Sequence, residues 1–466
     1  MKKLSAWILA LSLALCAVPV FAESAVSLKP VEIPVTADTV LETRHLITVT
    51  AEWLASFDAT VDDLGRFGDA GLKSETMETS VPAELLGSGG GRILSVSPDR
   101  RMVLLEYEGV PLLLKDGRLT MVSMDLTRCG ASEQYGYQDS ASFMSARVQR
   151  QPGLGRAGVI WMPDGRYALL SNASAAYMRL KDSYGLMWLD TETAEIFMAV
   201  PGGKLIPGNK SSGLLVQQAY GNTADGNLYC TVMGELDGKT AAVLRCYSPG
   251  TAESRDIAVF QGGMACEGMG IDRDGNLVLA IWIGNGKSYF YAAFSPENGT
   301  YTADPLPYWL SPVFLAPTPA CTMLTGVINN PESLPVVLLR DGDGFSRLIV
   351  EDGAETARLE TADPENPPAA EGLTILQAAL DAGGARALLS CADTDGNVRF
   401  LLMDTGTLAL APVDISALEG AVAEKGAGFG YSSRQFLPGL HFTGGGSYVL
   451  IPFADGSTLL CALVSE

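Results

Sequence analysis

A strand–turn–strand unit recurs along this chain. Residues 158–171 read GVIWMPDGRYALLS: an apolar strand, a Pro-Asp-Gly turn, then a second apolar strand. Related units stand at residues 92–107 (RILSVSPDRRMVLLEY), 222–233 (NTADGNLYCTVM), 268–282 (GMGIDRDGNLVLAIW) and 391–404 (CADTDGNVRFLLMD). One hairpin cannot bury its own apolar faces, so repeated hairpins must stack on one another. Short antiparallel strands at such a period predict an all-β fold, a β-propeller.

Seven units are read, spaced by about 50 to 65 residues. They cover residues 89–126, 157–200, 213–260, 262–306, 323–359, 373–415 and 435 to the end. The last holds only three strand-like runs. A ring must close or leave an open edge. The extended segment 26–35, with Pro30 and Pro34, is expected to supply the missing outer strand, because proline suits an edge.

Residues 39–88 stand outside the repeat. The apolar pattern from Thr39 to Ala59 is compatible with a helix, although its β-branched residues weaken that assignment, and Lys73 to Pro82 reads as a polar loop. The expected organisation is a signal peptide over 1–22, a closing strand in 23–38, a connecting or cap segment over 39–88 and a seven-bladed propeller over 89–466.

The N-terminus carries an address. Met1-Lys2-Lys3 is basic, Leu4 to Val18 is apolar but short, and Val20-Phe21-Ala22 offers a cleavage site. Leu15 before Cys16 argues against lipidation. A secreted or extracytoplasmic protein is expected, with an uncleaved anchor as the alternative. The net charge of −21, from 53 acidic and 32 basic residues, argues against nucleic acid or anionic lipid as partner. A protein, peptide or glycan ligand and a monomeric state are expected.

Cysteine and histidine usage narrows the chemistry. Beyond Cys16, the cysteines at 129, 230, 246, 266, 321, 391 and 461 are odd in number, against a complete disulfide framework. A hairpin turning at Asp237-Gly238-Lys239 would set Cys230 opposite Cys246; both also read as buried strand residues. His45 and His441 are the only histidines, and could meet only if ring closure brings them together. No HExxH, GxSxG, P-loop or CxxC occurs, so neither catalytic residues, a metal centre nor a cofactor are expected. The Asp272-Asp274-Asn276 and Asp393-Asp395-Asn397 patterns resemble calcium loops, but Asx-Gly is equally what a tight hairpin requires.

In a four-stranded meander, the connections between strands two and three share a side with those to the next blade. Three long ones fall there. Residues 128–156 carry Tyr135, Tyr137 and Arg147, residues 172–185 carry Tyr177 and Arg179, and residues 419–435 carry Tyr431 and Arg434. Arginines beside tyrosines on an acidic protein suit a carboxylate-bearing glycan or a peptide. The same residues could instead pack between blades.

The motifs at 162–167 (MPDGRY), 272–276 (DRDGN) and 393–397 (DTDGN) resemble those of secreted bacterial propellers of the TolB, YVTN and NHL kind. That resemblance implies fold and little else. The expected function is a non-enzymatic binding scaffold. The alternative is a propeller enzyme, a lactonase, lyase or glycoside hydrolase, with its site at the channel mouth.

Overall fold

The computed structural model describes residues 26–32, 35–46, 74–82, 85, 92–107, 110–124, 158–174, 184–198, 215–221, 224–236, 239–251, 253–261, 264–283, 289–329, 334–341, 344–421, 440–453 and 458–465. Strands are numbered in chain order. The first meander is β4 (Arg92–Val96), β5 (Met102–Tyr107), β6 (Val110–Lys115) and β7 (Arg118–Met121). The second is β9 (Gly158–Trp161), β10 (Tyr167–Ser174), β11 (Tyr184–Asp190) and β12 (Glu195–Met198). Next come β13 (Leu215–Gly221) to β16 (Ser254–Gln261), through β14 (Leu228–Leu236) and β15 (Lys239–Tyr247). The fourth runs β17 (Met264–Ile271), β18 (Leu277–Ile283), β19 (Tyr289–Phe294) and β20 (Tyr301–Pro305). The fifth has five strands, β21 (Leu310–Pro317), β22 (Thr322–Ile328), β23 (Pro335–Asp341), β24 (Gly344–Ile349) and β25 (Arg358–Thr361). The sixth is β26 (Thr374–Leu380), β27 (Arg386–Ala392), β28 (Val398–Asp404) and β29 (Leu410–Asp414); the last is β30 (His441–Thr443), β31 (Tyr448–Pro452) and β32 (Thr458–Ser465).

The middle strands read as continuous apolar runs because each blade is covered on both faces. Leu104 packs with Trp188 of the second blade, while its neighbour Leu105 packs with Leu450 of the last. Leu388 and Leu389 divide in the same way between the last blade and the fifth. Each such buried leucine contributes about 1.5–3 kcal/mol relative to exposure.

The marker turns share one geometry. Met162 N–H bonds Tyr167 O at 2.9 Å, Gly165 N–H bonds Met162 O at 2.9 Å, and the Thr191 hydroxyl donates to Gly165 O at 2.9 Å. In the sixth blade, Asp381 N–H bonds Arg386 O, Gly384 N–H bonds Asp381 O, and the Thr405 hydroxyl donates to Gly384 O at 2.6 Å. The topological equivalent of MPDGRY is therefore DAGGAR (381–386), and the 391–404 unit lies one hairpin later than its sequence suggests. A second repeat, LDTETA (189–194) with MDTGTL (403–408), holds the threonines and was available in the sequence.

The blades make a ring. Neighbouring blades touch in cyclic order, β4 with β9, β9 with β13, β13 with β17, β17 with β21, then β22 and β23 with β26, β26 with β30, and β32 with β4. The Thr443 hydroxyl donates to Val96 O and accepts Val96 N–H, each at 3.0 Å, joining last blade to first. Trp161 Nε1–H donates to Ser95 Oγ at 2.9 Å and joins first to second.

Closure comes from β1 (Val26–Pro30), as expected. It pairs antiparallel with β32, from Val26 opposite Ser465 to Pro30 opposite Cys461. It also pairs parallel with β29 at Val26 and Ser27. This second pairing fuses the last two blades into one eight-stranded sheet, so six sheets are found among the described residues.

Several expectations are corrected. Segments 40–46 and 74–80, expected as helix and loop, are strands β2 (Val40–Leu46) and β3 (Ser74–Ser80). They pair with each other, and β2 adds in parallel to β7. Backbone pairing with the first blade outweighs the polar composition. The fifth blade starts at Leu310, not near 323; Pro312 and Pro317 obscured β21, an edge position that tolerates proline. Cys230 and Cys246 do not face each other. The β14–β15 hairpin closes at Leu236 opposite Lys239, which sets Cys230 against Arg245 and Cys246 against Tyr229. Both are free and buried. Segment 1–22 lies outside the described residues.

Candidate ligand-binding face

The candidate residues Tyr135, Tyr137, Arg147, Tyr177, Arg179, Tyr431 and Arg434 all lie outside the described residues. Their flanks do not. Segment 128–156 runs from β8 (Ser123–Met124) to β9, segment 175–183 from β10 to β11, and segment 419–435 from β29 to β30. By the observed antiparallel order, each leaves and re-enters its sheets on the side opposite the first hairpin turns of the first four units. β8 pairs in parallel with β12, which fixes the start of the first segment on the second blade. Leu440, where the third re-enters, donates its N–H to Gln377 Oε1 of β26 at 2.7 Å. The sequence reading had missed Gln377; nothing in its surroundings marks it.

The turn at residues 393–397 connects β27 to β28 and therefore lies on the long-loop side. Asp393 Oδ1 accepts the N–H groups of Asp395 at 3.0 Å and Asn397 at 2.9 Å, and Asn397 Nδ2 donates to Asp393 Oδ2 at 3.1 Å. These donated bonds, from the Asn397 side chain first, hold the Asp393 carboxyl below its ordinary range. Arg399 bonds Asp393 at 3.2 Å and Asp352 of the fifth blade at 2.5 Å. Asp272 repeats the backbone pattern with Asp274 and Asn276, on the other side. Both carboxylates serve their own turns, the hairpin reading of these motifs. Among the described residues there is no cluster of three or more metal-binding side chains.

Several arginines are engaged in ion pairs. Arg166 binds Asp190 and Glu192, Arg340 binds Asp304 at 3.0 Å, and Arg386 binds Asp381 at 3.0 Å. Arg245, almost wholly buried, donates Nε–H to Asp256 at 2.5 Å. His45 lies on β2 outside the first blade, opposite Glu75, while His441 opens the innermost strand of the last. β2 lies in the outer part of the first blade's sheet and β30 is the innermost strand of the last, so the fold does not pair them.

The strand order defines a β-propeller. No family profile matches this chain, and no curated protein matches it. Solved structures similar to it include an oligogalacturonate lyase in complex with manganese (TM-score 0.46, 11% identity, 81% of this chain and 90% of that one). Another is the oligogalacturonate lyase of Vibrio parahaemolyticus (0.45, 11%, 93% and 98%). TolB of Acinetobacter baumannii is a third (0.34, 12%, 80% and 79%). No residue of this chain takes a role from them.

Proposed function

We propose that this chain is an extracytoplasmic propeller that binds a carboxylate-bearing glycan or peptide, without catalysis, through the long connections on one side of its ring. The observation that supports this reading is topological. Three separate insertions, carrying Arg147, Arg179 and Arg434 with neighbouring tyrosines, spring from one side. Arg166, Arg245, Arg340 and Arg386 are committed to structural pairs, and the loop arginines would supply charge directed at a ligand. Asp393 and Asp414 hold their carboxyls low through donated hydrogen bonds, the opposite of a general acid's need. No described helix is long and apolar enough to cross a membrane; the extracytoplasmic address rests on the N-terminal sequence.

The test is a glycan and peptide array probed with residues 23–466 and with the triple variant R147A/R179A/R434A. Binding to uronate-rich glycans or acidic peptides is expected, and is lost in the triple variant. Unchanged binding in that variant removes the site. Turnover of any bound ligand removes the non-catalytic reading.

A further inference from the structure

The circumference of the ring is not uniform. Extra strands cover the outer edge of several blades: β2 lies on β7, β8 on β12, and β1 between β29 and β32. Residues 355–357 further bond the start of β29, through Ala357 N–H to Leu408 O and Leu410 N–H to Glu355 O. Among the described residues, β16 pairs only with β15 and β20 only with β19. Both are outermost strands of four-stranded sheets.

β16 is the longer of these open edges, with eight residues reading SRDIAVFQ. Long, apolar, proline-free edges are what proteins ordinarily shorten, charge or cover. A bulge at Ile257 interrupts its first half, leaving Ala258-Val259-Phe260 apolar. The exposed large hydrophobic residues found among the described residues are Val259 (46%), Tyr301 (53%), Tyr308 (56%) and Leu359 (36%). All stand on or beside the outer strands of blades three to five. They are linked through packed rings: Phe260 meets Phe294 edge-on at 5.7 Å, and Tyr301 stacks on Phe294 at 5.0 Å. Tyr308 N–H bonds Pro364 O and so carries the surface towards blade five.

This arc is acidic. Beside β16 the exposed carboxylates are Glu253 and Glu297, in a chain of net charge −21; Arg255 of the strand is turned to Pro296 O, and Asp304, Glu351 and Glu360 further along are each paired with an arginine. A second copy would bring like charge to like charge. We infer that the outer edge of β16 receives an extended cationic segment of a partner protein, which adds a strand beside Ala258–Phe260. Main-chain hydrogen bonds supply the affinity and the acidic rim selects lysine or arginine. The surface is separate from the long-loop side and does not depend on what binds there.

The test uses the full chain and a labelled peptide of alternating lysine and valine. Its control has the same composition with alternate D-residues, which cannot form a regular strand. Fluorescence anisotropy is expected to show binding of the first peptide only. Val259→Lys, at an exposed position that leaves the thermal transition unchanged, weakens it at least about tenfold. Hydrogen exchange slows at β16 amides on binding and stays unchanged in β29. Equal binding of the D-containing peptide, no loss in the variant, or no protection of β16 overturns the inference. So does a wild-type dimer in sedimentation that Val259→Lys dissociates, which would assign the edge to a second copy.

Discussion

Val26, the first residue of the first described strand, stands opposite Ser465, the last residue of the last. The two ends of the chain are thus one ladder, and the ring's closure rests on five residue pairs and the side chains they bury. Val26 and Leu28 enter the cluster that also holds Phe400, Val413 and Cys461.

Leu28 has no exposed surface. Leu28→Ala is expected to cost about 2–5 kcal/mol, read by urea denaturation. Deleting residues 26–30 uncovers β29 and β32, and size-exclusion chromatography should then show association through those edges.

Gly268 and Gly275 have nearly the same backbone angle, φ +84° and +80°. Only Gly268 is crowded: an added Cβ would lie 2.3 Å from Leu315 O, whereas Gly275 has open space. Gly275→Ala should cost about 1 kcal/mol, from conformation alone. Gly268→Ala should cost more than about 3 kcal/mol, because the innermost strands of blades four and five must separate. Paired denaturation curves isolate the contact.

Burial pushes the Cys321 thiol up to about 11, and Cys391 and Cys461 up to about 12 each, from an ordinary 9.0. An acid whose pKa is raised by folding favours the unfolded chain once that chain ionises. The stability is therefore complete below about pH 9 and is lost as pH rises through the folded values. Denaturation midpoints should fall over that window, and replacing the three cysteines by alanine should flatten the fall. At pH 8, these thiols should react with maleimide only after unfolding.

Asp256 neutralises Arg245 in a largely buried position, with side-chain exposures of 33% and 7% respectively. Asp256→Ala leaves the guanidinium without its partner and should cost about 2 kcal/mol, allowing for screening at the half-exposed carboxylate. Arg399→Ala removes two half-exposed ion pairs, to Asp352 and Asp393, and should shift the thermal midpoint less than Asp256→Ala does. Differential scanning calorimetry distinguishes the two.

Repetition made most of the fold legible. Short Asp-containing turns between apolar runs located hairpins in the first four blades, and proline in an orphan N-terminal segment pointed to an edge. Legibility failed where a neighbour supplied the reason for a structure. Ser74–Ser80 is too polar to read as a strand and becomes one only by pairing with β2. Pro312 hid β21. The turn at Asp393 has the same Asp-x-Asp-Gly-Asn pattern as the one at Asp272 but occupies a different hairpin, because short turns carry no information about which pair of strands they join. Gln377 gained its role from a backbone amide 63 residues away.

The sequence alone determined that the chain would form hairpins, that they must stack, and that its first strand would close its last blade. These follow from local turn chemistry and from apolar surface that no single sheet can bury. Tertiary structure decided the pairing of β1 with β29 as well as β32, the one-residue offset that separates Cys230 from Cys246, and the blades left with open outer edges. Registers and edges are set by contacts between segments distant along the chain, where competing alignments differ by a single residue and local preference does not choose between them.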